Sequence, residues 1–136
     1  MAINDIYVNL PVQNVQKTRD FWVKLGFTIN EQFSNEKGIC VVMKEGFIYT
    51  MFLAEDFFQT FTNRPVAKSD TTQTLLAIGV ESREKVDEII KIATENGGSL
   101  YSETRDHGWM YQRTFADLDG HQWEVIFADL SKLPSM

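Results

Sequence analysis

Residues 106–127, DHGWMYQRTFADLDGHQWEVIF, decide the fold of this chain. Two runs rich in aromatic and β-branched residues flank Asp117-Leu118-Asp119-Gly120, which is typical of a tight turn, so this stretch predicts a β-hairpin. Alternation gives the second strand two faces, with Trp123, Val125 and Phe127 on one and Gln122, Glu124 and Ile126 on the other. Because an unpaired carboxylate is costly in an apolar core, Glu124 is predicted either to face water or to line a polar cavity.

Composition predicts a soluble, cytoplasmic protein. Of its 136 residues, 43% are hydrophobic, which is enough for one compact domain or two small packed halves. No apolar run approaches the roughly 20 residues needed to span a membrane, and residues 1–12 lack the pattern of a secretory signal. The single cysteine, Cys40, lies in an apolar run, so we expect a buried, inert thiol. The net charge of −6, with scattered lysines and arginines, argues against nucleic acid as a partner and mildly favours a cationic ligand.

The first half of the chain predicts one strand, one helix and three further strands. The first strand is Ile6–Val12, and Asn14 caps a helix that runs to about Leu25 and ends at Gly26. The three strands that follow are predicted at 28–33, Gly38–Lys44 and 47–54, because polar, turn-like residues separate them.

The same order recurs in the second half. Residues 55–72 break the pattern: Phe57, Phe58 and Phe61 are predicted in a short helical or irregular segment, and 64–72 as a linker. A strand at 74–81, a helix capped by Ser82 and stopped by Gly97-Gly98, a strand at 99–103 and the hairpin follow. The matching order and stops indicate an internal duplication with a period of about 70 residues.

Two motifs carry a resemblance to a known family. The opening residues NLPVQNVQKTRDFWVKLGF and the closing DLDGHQWEV resemble the vicinal oxygen chelate superfamily, which includes glyoxalase I, fosfomycin- and bleomycin-resistance proteins and extradiol dioxygenases. The hairpin is also similar to a bacterial subgroup described as predicted lactoylglutathione lyases.

This resemblance implies an α+β fold in a single domain, 1–136. Two tandem β-α-β-β-β modules, 1–62 and 74–130, are joined by a linker, 63–73. Their mixed sheets curl into a cup with the helices outside. The resemblance also implies a small-molecule ligand and a homodimer.

The resemblance also supplies four positions to test for metal ligands. Members with metal chemistry place a His or Gln in the first strand of each module and a Glu, or an equivalent ligand, in the last. The matching positions here are Tyr7, Leu75, Met51 and Glu124, and only Glu124 keeps the ligand. Since zinc and nickel need three or four protein ligands, we expect no metal cofactor. The alternative is a zinc or nickel ion held by Glu124 with His107 and His121.

On the family fold, alternation predicts the residues that line the cup. Alternation gives Tyr7, Asn9, Tyr49, Met51, Gln122 and Glu124 as ligand-binding residues, and Trp109, Tyr111 and Arg113 are predicted to join them from the mouth and the hairpin. Trp109 is predicted to close the mouth as part of a loop, while the three phenylalanines of 57–61 either line an entrance or pack a dimer contact. A hairpin centred on Leu118-Asp119 would bring Arg113 close to Glu124, and such a pair would make Glu124 structural.

Three functions remain open. We favour a protein that binds a small organic molecule without a metal, as the bleomycin-resistance relatives do with a cationic drug. The second is a lyase or isomerase of glyoxalase I type, in which Glu124 is the base and Tyr7 a hydrogen-bond donor, with or without a divalent metal. The third is a dimeric interaction protein that has no ligand.

Overall fold

The structure, a computed structural model, describes residues 1–134 and divides into two compact units. The first unit is Met1–Lys68, and the second begins at Ser69. Each unit contains one four-stranded mixed sheet and its own helices, so the predicted α+β class is confirmed. Neither sheet closes on itself.

The first unit follows the predicted β-α-β-β-β order. Its elements are β1 (Ile6–Val12), α1 (Val15–Lys24), β2 (Thr28–Ile29), β3 (Gly38–Lys44), β4 (Ile48–Ala54) and a short helix α2 (Glu55–Gln59). The strand order is β1-β4-β3-β2; β1 runs parallel to β4, and the other pairs are antiparallel.

The second unit repeats this arrangement. Its elements are β5 (Leu75–Gly79), α3 (Arg83–Glu95), β6 (Arg105–Asp106), β7 (Met110–Ala116) and β8 (Gln122–Ala128). The strand order is β5-β8-β7-β6, again with one parallel pair, β5 and β8, and two antiparallel pairs. The predicted duplication is therefore present in both element order and sheet topology.

Both long helices begin and end where the sequence predicts. Asn14 Oδ1 accepts a hydrogen bond from Lys17 N at 2.9 Å, and Ser82 Oγ accepts one from Lys85 N at 3.0 Å. Gly26 and Gly97 follow the two helices with φ of 98° and 103°, a conformation that glycine adopts without strain.

Each helix buries its apolar stripe against the sheet of its own unit. Trp22 of α1 is fully buried and packs against Phe52 of β4, with ring centroids 5.2 Å apart. In the second unit, α3 buries Val86, Ile89, Ile90 and Ala93, while β7 and β8 bury Phe115, Trp123 and Val125. Cys40 is buried in β3, as predicted.

Two predicted strands differ from the structure. The strand predicted at 28–33 ends at Ile29, because Asn30 Oδ1 accepts a hydrogen bond from Gln32 N and caps a 3-10 turn over Glu31–Phe33. The strand predicted at 99–103 is wrong: only Ser99 forms a bridge, to Ala116, and the paired strand is Arg105–Asp106. Residues 100–104 stand opposite only 113–115, so the chain bulges out of the sheet there.

No helix within residues 1–134 is long and apolar enough to cross a membrane.

Candidate ligand-binding site

Each sheet has one face turned toward its long helix and one turned away from it, which we call the open face. In the second sheet, Tyr111 and Arg113 bond Asp87 of α3, so these residues and their β8 partners Phe127 and Val125 face the helix. The open face consists of the alternate positions, Leu75, Ala77, Gly79, Gln112, Thr114, Gln122, Glu124 and Ile126. Glu124, half-buried in mid-strand, therefore lies on the open face, as alternation predicts.

Two residues predicted for the ligand face lie on the helix face instead. The hairpin pairs Arg113 with Val125 and Thr114 with Glu124, so the predicted contact between Arg113 and Glu124 is wrong. Tyr111 Oη donates to Asp87 Oδ1 at 2.6 Å, and Arg113 Nη1 donates to the same oxygen at 3.1 Å. The Tyr111 hydrogen bond, together with Arg113, holds the pKa of Asp87 below its ordinary value.

The side chain of Asp117 explains this register. Its Oδ1 accepts hydrogen bonds from Asp119 N at 3.1 Å and His121 N at 3.0 Å, while its Oδ2 accepts one from Trp123 Nε1 at 3.0 Å. These bonds close a loop of residues 117–121 that is centred on Asp119. The prediction had centred the hairpin between Leu118 and Asp119, which pairs Arg113 with Glu124. A shift of one residue in pairing turns each side chain to the opposite face. Burial raises the pKa of Asp117, and His121 and the donated hydrogen bonds oppose that rise.

The bulge at 100–104 brings hydroxyl groups to the surroundings of Glu124. Ser102 Oγ lies 2.7 Å from Thr114 Oγ1, and Tyr101 Oη donates to the carbonyl of Trp123 at 3.4 Å. Burial, and next the Glu124 carboxylate, raise the pKa of the Tyr101 phenol. Sequence reasoning missed Tyr101 and Ser102 because it treated 99–103 as a regular strand, and a bulge of this kind has no clear sequence signal. It missed Thr114 because the predicted register brought Arg113 to Glu124 instead.

Gln122 occupies the open face two residues before Glu124. Thr72 Oγ1, from the segment before β5, donates to Gln122 Oε1 at 2.6 Å, so the carboxamide oxygen is engaged. The Nε2 group of Gln122 is then the end that can donate to a ligand. Gln122 and Glu124 together present one donor and one acceptor along β8.

The open face of the first sheet is more aromatic. Phe52 of β4 packs on α1, so Tyr49, Met51 and Leu53 lie on the open face, with Tyr7 and Asn9 beside Tyr49 and Met51 in β1. The rings of Tyr7 and Tyr49 stack with centroids 5.0 Å apart. Tyr7 is 46% exposed, whereas Tyr49 is buried and its Oη accepts a hydrogen bond from Gly46 N at 2.9 Å.

The structure does not bring the two histidines together at Glu124. His121 ends the 117–121 loop, and His107, whose N donates to Met110 O, precedes the opposite end of β7. Within residues 1–134, no three His, Cys, Asp or Glu side chains are grouped so that they could hold a metal ion. Trp109 lies between β6 and β7, where its carbonyl accepts a hydrogen bond from Asp129 N at 2.7 Å.

The combination of tandem β-α-β-β-β units with this hairpin matches a known family. The family model of the Glyoxalase/Bleomycin resistance protein/Dioxygenase superfamily matches residues 6–125. The chain belongs to this superfamily. No protein of curated function matches the sequence.

Several solved structures share the fold. A hypothetical protein from S. aureus is 25% identical, with a TM-score of 0.79 over 94% of this chain and 96% of that one. A glyoxalase-related enzyme from Fulvimarina pelagi is 21% identical, with a TM-score of 0.75 over 89% and 85% of the two chains. The fosfomycin resistance protein FosX from Listeria monocytogenes is 20% identical, with a TM-score of 0.68 over 96% and 98%.

The strand pairing shows which residues of this superfamily member occupy the four positions at which relatives place metal ligands. Asn9 and Ala77 each lie five residues before a helix cap, and they pair with Met51 and Glu124 respectively. Met51 is therefore the counterpart of Glu124 in the first module. Among the first-strand positions, Tyr7 offers only a phenol and Leu75 offers no donor atom. The first module offers a phenol and a thioether and the second offers one carboxylate, so neither supplies the several imidazole, thiolate or carboxylate ligands that zinc or nickel prefers.

Proposed function

We propose that this superfamily member binds a small organic molecule and that Glu124, on the open face of the second sheet, contacts the ligand directly rather than through a metal. The observation that carries the proposal is that Met51 and Glu124 occupy equivalent positions in the last strands of the two modules. Metal-binding relatives have a ligand at both positions, whereas this chain has a carboxylate at only one. A carboxylate on an open face is suited to accept hydrogen bonds from a ligand or to balance a positive charge.

The open face of the first sheet, taken by itself, is suited to an aromatic or apolar group. The exposed ring of Tyr7, held by stacking on Tyr49, provides a flat surface of a kind that aromatic groups prefer. Asn9 is exposed beside it and offers both a donor and an acceptor. Tyr7, Asn9, Tyr49 and Met51 thus remain proposed ligand contacts on the first open face, with Gln122 and Glu124 on the second.

A lyase or isomerase of glyoxalase I type is the second candidate. The observation in its favour is the Tyr101 phenol, whose pKa is raised first by burial and then by the neighbouring Glu124 carboxylate, since it provides a proton donor in the surroundings of a carboxylate that can act as base. In this candidate Glu124 removes a proton next to a carbonyl, and a hydroxyl stabilises the resulting enolate. Tyr7, the donor expected from the sequence, lies in the first unit, whereas Tyr101 lies in the same unit as Glu124.

A thermal-shift screen tests the binding function. The wild-type protein and Glu124→Gln are heated with a panel of metabolites and antibiotics, in buffer with a chelator, and exposed Glu103→Gln is the matched control. We expect at least one compound to raise the Tm of the wild type and of Glu103→Gln, with a much smaller rise for Glu124→Gln. If no compound moves the wild-type Tm and the protein is a stable dimer, the interaction-protein function replaces this one.

A further inference from the structure

The charged side chains of the second sheet differ between its two faces. On the helix face, Arg83 of α3 donates to both carboxylate oxygens of Asp106, at 2.8 and 3.0 Å, and Arg113 donates to Asp87. Each of these ions therefore has a partner of opposite charge. Arg83 also stacks over the ring of Tyr111, 4.9 Å from its centroid, so the helix face is internally satisfied.

The open face carries two ions that lack such a partner. Arg105 stands opposite Gln112 in the β6–β7 pair, and Gln112 shares the open face with Thr114 and Glu124. Directly opposed residues point to the same side of a sheet, so Arg105 and Glu124 lie on one face. In the part of the chain that the structure describes, neither takes part in an ion pair.

The spacing of these two ions suits a small molecule better than a direct contact. Arg105 lies two strands from Glu124 and two residues further along, which gives a separation of about 12 Å between their Cα atoms. The positions between them on the sheet are Gln112 and Thr114, whose side chains carry no charge. The open face thus carries a positive charge at Arg105 and a negative charge at Glu124, which we call its two poles, with uncharged hydrogen-bonding side chains between them.

We propose that the open face of the second sheet binds a zwitterionic ligand, with an amine at Glu124 and a carboxylate or similar anion at Arg105. This inference rests on the proposed binding function and adds the chemical class of the ligand. Arginine binds planar anions through two parallel hydrogen bonds, and the acid at the other pole neutralises a protonated amine. A ligand with both charges satisfies both poles, whereas a purely cationic or anionic ligand leaves one pole without a partner.

Matched compounds test this assignment. Isothermal titration compares 6-aminohexanoate with hexylamine and hexanoate, and 4-(aminomethyl)benzoate with benzylamine and benzoate. In at least one series we expect the zwitterion to bind tenfold or more tightly than either singly charged analogue. Arg105→Gln should remove the advantage over the amine, and Glu124→Gln the advantage over the acid. Arg64→Gln, at an exposed position of the first unit, is the control that should change neither.

The outcomes separate this inference from the function on which it rests. Amines that bind as tightly as the zwitterions, with no effect of Arg105→Gln, overturn the zwitterion assignment and keep ligand binding at Glu124. The zwitterion assignment is also overturned if neither series binds while a panel compound without an anionic group raises the Tm of the wild type but not of Glu124→Gln. If no compound binds in titration or in the thermal screen, both proposals are overturned.

Discussion

At the scale of single residues, Asp117 decides which side chains accompany Glu124. Its carboxylate accepts two backbone N–H groups of the 117–121 loop and the indole N–H of buried Trp123. These bonds act together with the backbone hydrogen bond from Asp117 N to His121 O at 2.9 Å, and the closed loop anchors the pairing of β7 with β8. One buried side chain therefore fixes which face of the sheet receives the arginine and which receives the acid.

Removal of this carboxylate should destabilise the protein. We expect Asp117→Ala to lower the free energy of unfolding by about 2–4 kcal/mol, because it leaves the buried Trp123 Nε1 without its acceptor and opens the loop. Asp117→Asn keeps one acceptor oxygen and should cost about half as much. Urea denaturation measures both, with exposed Glu103→Ala as control. An Asp117→Ala protein as stable as the control would show that the loop closes by other means.

The residue scale also shows where sequence reasoning stops. Alternation within one strand placed Glu124 correctly, since neighbouring side chains in a strand point to opposite faces whatever lies around them. The face of Arg113 relative to Glu124 depended on how the loop closes. Three hydrogen bonds to the Asp117 side chain and one from its N–H to His121 O close the loop, and no local pattern displays them. The errors for Arg113 and Tyr111 therefore have a single cause.

At the scale of elements, the contact between α3 and β6 is an ionic one. Arg83, at the start of α3, bonds both oxygens of Asp106 and also donates to the carbonyl of Gly108 at 3.1 Å. This arrangement ties the connection between β6 and β7 to the helix. It also keeps the Asp106 carboxylate on the helix face, so that its neighbour Arg105 points to the open face.

This contact should be sensitive to acid. The hydrogen bonds from Arg83, followed by that from the Gly108 N–H, lower the pKa of Asp106 from 3.8 to about 2. Because the folded-state pKa is depressed, the stabilisation is present above pH 3.8 and is lost as the pH falls toward about 2. We expect Asp106→Asn to be less stable than wild type at neutral pH and to lose less stability over that acidic interval. Urea midpoints across the interval measure this. Parallel curves for the two proteins would contradict the assignment.

Most elements were predictable from local sequence, and the exceptions have identifiable causes. Both long helices have side-chain caps and glycine stops, which are short-range signals that the structure confirms. The second strand ended early because the Asn30 side chain accepts a hydrogen bond from Gln32 N and caps a 3-10 turn. The prediction of a strand at 99–103 was wrong because pairing to β7 resumes only at Arg105. A bulge depends on the partner strand as much as on its own residues.

At the scale of the whole molecule, the chain is a superfamily member whose two modules have diverged in chemistry. Equivalent strands pair in the same order, yet the first open face presents tyrosines and a methionine while the second presents hydroxyls, an amide and an acid. The duplication and the family were predictable because they depend on the order of elements and on two motifs. The polar groups around Glu124 were not, because they come from the bulge and from strand register.

The metal content of the purified protein tests the central claim most directly, namely that Glu124 is a ligand-binding acid without a metal partner. The wild type and Glu124→Gln are incubated with nickel or zinc chloride, dialysed, and measured for metal per chain by mass spectrometry. The donor set at Tyr7, Met51, Leu75 and Glu124 predicts far less than one metal per chain for both proteins. One metal ion retained per wild-type chain, and lost in Glu124→Gln, would contradict it.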